Sequence, residues 1–350
     1  MNIAVLFGGK SSEHEVSRSS VCNVLRLLQD EKYNLTVIGI TKEGAWLKTE
    51  ASLEEIKSGA WEQHPSNEPA WILPDPSVKG IRTASGKVIS IDVAAPILHG
   101  KNGEDGSIAA LFQLAGIPQI TTSMTSAANS MDKALTKLIC EKAGIPQADW
   151  CFFYSRELSD MDGVVERAEK ALEYPIFVKP ASAGSSVGIS KCHNREELIK
   201  GLRLAAEHDF KIVLEETIVG HEVEVAVLGN EELFASMVGE IAPAAEFYDY
   251  DAKYNDAASL LFIPARLEPE VAEQVRGIAK KVFAAMECNG YARVDFFVTA
   301  EGKPIFNELN TIPGFTDISM YPKLMEKSGI EGKALMARLI ELAVDHFEGK

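Results

Sequence analysis

Apolar residues run along this chain in two rhythms, one of strands and one of helices. Ile3-Ala4-Val5-Leu6-Phe7 is a continuous apolar run that stops at Gly8-Gly9, which predicts a buried strand leaving its sheet at the glycines. Val16–Leu28 carries Val21, Val24, Leu25 and Leu28 at helical spacing. Leu35–Ile40 and Val93–Leu98 predict two more buried strands, the second ending at His99-Gly100. Ser107–Leu114 predicts a helix that Gly116 is placed to end, and Ser126–Ala143 reads as one long helix before Gly144-Ile145-Pro146.

A second α/β section follows, with a strand at Ile176–Lys179, a glycine-rich loop, a helix near Glu196–Ala206 and a strand at Lys211–Glu215. From His221 the texture changes. Val223, Val225 and Val227 alternate with Glu222, Glu224 and Ala226, and strand-like stretches recur near Phe234–Ile241, Leu260–Ile263 and Ala292–Val298. Helices are expected at Val271–Met286 and Lys333–His346. The expectation is an α/β protein of three domains, 1–122, 123–218 and 219–350. The first resembles half of a doubly wound sheet, whose ligand crevice lies at the strand C-termini.

Composition narrows the partners. At 350 residues, 46% hydrophobic and 25% charged, the chain has the make-up of a soluble protein of two to three domains. Its net charge of −16 excludes a nucleic-acid partner and an anionic membrane surface. A phosphate-bearing ligand then needs a local cluster of lysine and arginine. Five scattered cysteines without a C-x-x-C pair predict reduced thiols. The start is too short and uncharged for a signal peptide, and no apolar run approaches the roughly 20 residues that span a bilayer. A cytoplasmic protein is expected.

The richest chemistry lies in Tyr291-Ala292-Arg293-Val294-Asp295-Phe296-Phe297 and Pro304-Ile305-Phe306-Asn307-Glu308-Leu309-Asn310. Each half alternates, so Arg293 and Asp295 share a face, as do Glu308 and Asn310. With Glu301-Gly302 as the two turn residues, Asp295 faces Glu308 and Arg293 faces Asn310, while Val294, Phe296, Ile305 and Leu309 lie on the opposite, buried face. Pro304 is the residue that could lengthen the loop to an odd count and offset these pairs. Opposed carboxylates about 4 Å apart repel by roughly 4 kcal/mol at an effective dielectric near 20. A shared proton or a bound cation would offset this. Oxygen donors without histidine or cysteine select Mg²⁺ or Mn²⁺ over Zn²⁺. The alternative is an exposed ribbon with solvated charges.

Other stretches are weaker singly. Val178-Lys179-Pro180-Ala181-Ser182-Ala183-Gly184-Ser185-Ser186-Val187-Gly188 sets small residues after a strand, as a phosphate-cradling loop does, but is no Walker A motif. Lys133 follows Ser130-Met131-Asp132, and Lys253 lies in the polar, aromatic segment Phe247–Tyr254, which suits a lid. Leu214–Ile218 suits a hinge. Gly8–Glu15 lacks G-x-G-x-x-G, which disfavours a dinucleotide site; Glu13 there is either a crevice carboxylate or ordinary helix N-terminal charge. His99 is a switch-point ligand group or a structural histidine.

Taken in order, LFGGKSSEHEVS, HGKNGEDGS, SMDK, FVKPASAGSSVG, FYDYDAKY, ARVDFF and FNELNTIPGFT resemble the D-alanine–D-alanine ligase family of the ATP-grasp superfamily. The set spans residues 3 to about 325. The resemblance implies three α/β domains, with ATP gripped between the second and third. It makes Asp295, Glu308 and Asn310 ligands of Mg²⁺ (or Mn²⁺), with two ions bound. Lys133, Lys179 and Lys253 would hold phosphates, and Glu215, Ile218 and Glu222 would line the adenine and ribose pocket. Glu13 would bind the ammonium of the first D-alanine, with His99 nearby. Arg293 and the Gly314 N–H would stabilise an oxyanion. Ser185 and Tyr254 would link to Glu13, and Ser319 and Met320 would bind the second substrate. Ala183 stands where the family loop is often acidic, and Glu216-Thr217 replaces a common basic-aromatic pair.

The expected reaction is ATP-dependent ligation of two D-alanines through an acyl phosphate, for peptidoglycan precursors, by a homodimer. The alternative is D-serine or D-lactate as second substrate, against which stand the apolar Met320 and a lid segment without histidine. A degenerate nucleotide-binding regulator would have lost a metal ligand or phosphate lysine, and none is lost. An ATP-independent binding protein would show no Mg²⁺-dependent stabilisation by a nonhydrolysable ATP analogue.

Overall fold

The computed structural model describes residues 1–242 and 260–349, and its strands form three sheets. The first comprises β1 (Asn2–Gly8), β2 (Asn34–Ile40), β3 (Trp46–Lys48), β4 (Glu68–Ile72), β5 (Gly80–Thr83), β6 (Val88–Ser90) and β7 (Val93–Pro96), in the order β6-β5-β4-β3-β2-β1-β7. β1 pairs in parallel with β2 and β7, the half of a doubly wound sheet that the apolar runs predict. The antiparallel meander β3–β6 that extends it was not predicted. Its strands are three to five residues long, too short for periodicity to mark. Helices α1 (His14–Leu27), α2 (Leu53–Ser58) and α3 (Ser107–Leu114) belong to the same region. At the C-terminal ends of β1 and β7 two loops lie side by side, Ser11 Oγ donating to the His99 carbonyl at 2.8 Å.

The single helix expected over Ser126–Ala143 is two, α4 (Met124–Met131) and α5 (Lys133–Lys142). Asp132 breaks it. At φ −86°, ψ 102° its carboxylate accepts from the Ala134 and Leu135 N–H groups, capping the second helix. Apolar spacing continues through the break and hides it. Lys133 thereby becomes the first residue of α5, while Lys211 pairs with the Asp132 carboxylate.

The second sheet is antiparallel: β8 (Trp150–Tyr154), β9 (Ile176–Pro180), β10 (Ser190–Cys192) and β11 (Lys211–Glu216), in the order β10-β9-β11-β8. With α6 (Met161–Ala171) and α7 (Arg195–His208) it encloses its own core, including Val164, Val178, Leu198, Leu202 and Ile212. The third sheet holds β12 (His221–Gly229), β13 (Phe234–Ala235), β14 (Gly239–Ala242), β15 (Leu260–Phe262), β16 (Gly290–Val298) and β17 (Pro304–Asn310), in the order β15-β14-β12-β16-β17, with β13 on β12. The strand expected over Phe234–Ile241 is thus two. α8 (Pro269–Ala285) covers one face of this sheet, and α9 (Met320–Lys327) and α10 (Gly332–Glu348) follow.

The first and third sheets share one apolar core. Ile3, Val5 and Phe7 of β1 lie in one cluster with Tyr291, Phe315, Tyr321, Leu335 and Leu339. The five cysteines are unpaired thiols. Among the described residues no helix is long and apolar enough to cross a membrane.

Candidate active site

The β16–β17 ribbon pairs Asp295 with Glu308 and Arg293 with Asn310, as expected, but by a different route. Thr299 N–H donates to the Lys303 carbonyl, so the loop is Ala300–Gly302, an odd count, and Phe296 faces Phe306. A bulge at Asn307 then restores the expected pairing at the site. Because of it, Phe306 rather than Ile305 joins Val294, Phe296 and Leu309 in the core under α8, while Glu308 and Asn310 face the cavity.

The register also explains how the opposed carboxylates coexist. Arg293 Nε and Nη2 donate to the two Asp295 oxygens at 2.8 and 2.7 Å, and Asn310 Nδ2 donates to Asp295 Oδ2 at 2.9 Å. The offsetting charge is therefore a guanidinium. Glu224, opposite Asp295 on β12, lies 3.1 Å from Arg293 Nε. Burial opposes the Arg293 charge, but Asp295 and Glu224 outweigh it and raise its pKa well above the ordinary arginine value. Among the described residues no three carboxylate, histidine or cysteine side chains gather closely enough to enclose a metal. Two carboxylates and an amide of hard oxygen donors still suit Mg²⁺ or Mn²⁺, with the remaining positions left to a ligand. The set fits once Arg293 yields an Asp295 oxygen.

At the other wall, Glu13 enters α1 and is buried. Ser185 Oγ donates to Glu13 Oε1 at 2.7 Å, joining the glycine-rich loop to the first sheet. Ser185 and Ser186 adopt left-handed φ of 50° and 58°, a costly conformation for residues with a Cβ. Gly100 and Gly184 complete the cradle: a Cβ on either would lie 2.6 or 2.7 Å from Glu13 Oε2.

The basic end is built from α5, β9 and β11. Lys133 Nζ donates to the Ala183 carbonyl at 2.8 Å, so this loop position contributes backbone whatever its side chain. Lys179 Nζ bonds Glu215 Oε2 at 2.9 Å, and Lys137 Nζ lies 3.6 Å from Oε1. Burial would push the Glu215 carboxyl up, but Lys179 and Lys137 hold it down to about 2. Glu216 and Thr217, the other departures from the family pattern, are spent locally: Glu216 Oε1 accepts from Asp149 N–H and Thr217 Oγ1 donates to the Pro175 carbonyl.

Between these walls runs the segment after β17. His99 Nδ1 contacts the Ile312 carbonyl at 2.9 Å and Nε2 contacts Ser20 Oγ at 2.9 Å, which itself accepts from Phe315 N–H. Burial lowers the His99 pKa, and the Ile312 carbonyl can only accept, so Nδ1 is the donor in that contact. Glu104 accepts from Gly100 and Ile312 N–H, and burial pushes its carboxyl up to about 8. A Cβ on Gly314 would lie 2.8 Å from Ser319 Oγ. That hydroxyl accepts from Thr316 N–H at 3.0 Å, and Met320 begins α9 with 5% exposure.

One cavity of about 410 Å³ gathers Glu13, His99, Lys133, Ser185, Glu215, Glu222, Arg293, Asp295, Glu308, Asn310, Gly314, Ser319 and Met320. Lys179 stands behind Glu215, and Ile218, half-buried past the end of β11, does not line it. Lys253 and Tyr254 lie outside the described residues. Glu104, Lys137 and Glu224 also line the cavity and were missed. Lys137 and Glu224 are buried and Glu104 half-buried, and burial has no signature in residue type. The one usable hint was Glu224, in alternation with Val223 and Val225.

Comparisons with known proteins agree with this geometry. Residues 2–122 match the model of the D-ala D-ala ligase N-terminus and 139–341 that of the D-ala D-ala ligase C-terminus. A D-alanine--D-alanine ligase of Acetivibrio thermocellus is 48% identical over 99% of this chain and 96% of its own length. One from Caldicellulosiruptor bescii is 46% identical over 99% and 95%. Among solved structures, the VanG D-Ala:D-Ser ligase from Enterococcus faecalis superposes with a TM-score of 0.90 at 38% identity, covering 98% of this chain and 99% of that one. The D-alanine-D-alanine ligase from Coxiella burnetii gives 0.89 at 34%, covering 100% and 95%. With the ATP-grasp architecture, a cavity lined from all three regions of the chain and family matches at both ends, the chain belongs to the D-alanine–D-alanine ligase family.

Proposed function

We propose that this chain joins two D-alanine molecules into D-alanyl-D-alanine, driven by ATP, for peptidoglycan precursors in the cytoplasm and as a homodimer. The observation that carries the reading is the single cavity with lysines at one end, the Glu13 cradle at the other and the Arg293–Asp295–Glu308 ribbon between. Residues 1–122 serve the first substrate, and 123–218 and 219–350 grip the nucleotide.

Glu13 binds the ammonium of the first D-alanine, its carboxylate fixed by Ser185, and His99 shapes that end. Tyr254 joins this link from the lid. Lys133, Lys179 and Lys253 bind phosphates, beside a base and ribose pocket of Glu215, Ile218 and Glu222. Bound Mg²⁺ (or Mn²⁺), as two ions on Asp295, Glu308 and Asn310, would supply charge neutralisation at the phosphates. The first carboxylate attacks the γ-phosphorus, the bond to ADP breaks, and an acyl phosphate forms. The amine of the second D-alanine, seated by Ser319 and Met320, attacks the acyl carbon, losing a proton as phosphate leaves. Arg293, released from Asp295, and the Gly314 N–H stabilise the tetrahedral oxyanion.

Phosphate release from ATP with D-alanine, L-alanine, D-serine or D-lactate, followed by product mass, tests this. Release with D-alanine alone and a D-Ala-D-Ala mass is expected; release only with L-amino acids would sink it. D-serine as second substrate is disfavoured by Met320, whose thioether offers a side-chain hydroxyl no strong partner, and D-lactate by the absence of histidine from the segment Phe247–Tyr254.

A further inference from the structure

Lys137 lies one turn beyond Lys133 on α5, on the same helix face, and is 2% exposed. Its Nζ is 3.6 Å from Glu215 Oε1, within ion-pair reach but too far to hydrogen-bond, and it has no hydrogen-bond partner among the described residues. The other Glu215 oxygen is taken by Lys179 at 2.9 Å. One buried carboxylate thus serves two ammonium groups, that of Lys137 fully buried and that of Lys179 half-buried. For folding alone this is a poor arrangement, because an ammonium removed from water and denied hydrogen bonds is strongly unfavourable. A methionine of similar length would pack there without that penalty. The side chain does, however, line the cavity beside Lys133, Glu215 and Glu222.

Position indicates which part of a ligand would use these donors. Lys133 reaches the glycine-rich loop at Ala183, whereas Lys137 sits about 6 Å further along the helix, against β11. The γ-phosphate must approach Asp295 and Glu308 on the opposite sheet. We propose that Lys137 binds the nucleotide at its base-proximal end, its ammonium donating to an acceptor of the adenosine monophosphate portion, a ring nitrogen or an α-phosphate oxygen. This rests on the ATP-dependent reading above and adds to it a binding residue.

The test uses the full chain with Lys137→Met and Lys137→Arg. Affinities for AMP, ADP and a nonhydrolysable ATP analogue are measured by calorimetry, with melting temperatures of the ligand-free proteins. Lys137→Met is expected to weaken all three ligands by a similar factor, roughly 10–100-fold. Its ligand-free melting temperature should stay level or rise, since an unsatisfied charge is removed, and Lys137→Arg should recover part of the affinity. Parent-like affinity for all three ligands overturns the proposal, as does a loss confined to the ATP analogue. A lower melting temperature with parent-like affinity assigns Lys137 to supporting Glu215 and overturns it too. Should Lys137→Met not fold, Lys137→Gln is read in the same way. If the parent binds no nucleotide, the ligase reading itself fails; a binding parent with an unaffected variant sinks this inference alone.

Discussion

Among single residues, the pairings about Asp295 decide the chemistry. Arg293 occupies both Asp295 oxygens, and Glu308 faces Asp295 from the neighbouring strand. Glu308→Gln keeps the shape and removes a charged donor. Turnover at millimolar Mg²⁺ should fall by roughly 100-fold or more, on the scale of losing one electrostatic contact in an active site. Steady-state phosphate release measures this, and near-parent activity would rule out a metal role. Gly184→Ala tests the cradle. Its Cβ would lie 2.7 Å from Glu13 Oε2, forcing the carboxylate aside. The loss should be about 1–3 kcal/mol of first-substrate binding, read as a higher KM for D-alanine. An unchanged KM would mean the carboxylate has room to move. Placement in the cavity was legible at this scale where residue type suggests chemistry, as at Asp295 and Glu308. Lys137 and Glu104 were not, because a lysine or glutamate reads as solvated until its surroundings are known.

Elements were legible where periodicity persists and illegible where one residue interrupts it. The long apolar runs of β1, β2 and β7 stood out; the Asp132 break between α4 and α5 and the Asn307 bulge in β17 did not. Both interruptions serve the site, one by starting α5 at Lys133, the other by turning Glu308 and Asn310 to the cavity while Phe306 stays in the core. A separate ion-pair cluster ties β14 to its neighbours in the third sheet. Glu240 of β14, 1% exposed, bonds Arg266 Nη2 at 2.6 Å and His221 Nδ1 at 2.8 Å. Burial would push this carboxyl up, but Arg266 and His221 hold it down to about 2. A depressed carboxylate stabilises above its unfolded pKa, near 4.5, and the contribution is lost as pH falls through the folded value. Glu240→Gln should therefore lower stability by at most about 3 kcal/mol near neutrality. The gap from the parent should stay level above about pH 5 and narrow by about half near pH 3.3. Urea unfolding across that range checks it; a gap that widens on acidification would contradict the ion-pair origin.

For the whole molecule, the distribution of cores matters more than the count of domains. The sequence suggests three units of equal standing, because each stretch has its own rhythm. Contacts between α1 and α10, more than 300 residues apart in the chain, leave no local pattern to read. Those contacts fuse the first and third sheets into one cluster, while β8–β11 with α6 and α7 keep a separate core. The lysine-lined end of the site lies against the separate unit, at Lys179 and Glu215, whereas the Arg293–Asp295–Glu308 ribbon belongs to the fused one. A cleft between two cores can open without breaking either. Leu339→Ala, deleting a fully buried side chain of the shared core, should cost about 2–5 kcal/mol. Native-state hydrogen exchange should then show faster opening in β1, β2 and β7 and equally in β12 and β16, with β8–β11 unchanged. Leu202→Ala, also fully buried but in the core under α7, should loosen β9–β11 alone. If Leu339→Ala loosened only the third sheet, the first and third would be separate folding units, and a two-body picture of how this site opens would have to be abandoned.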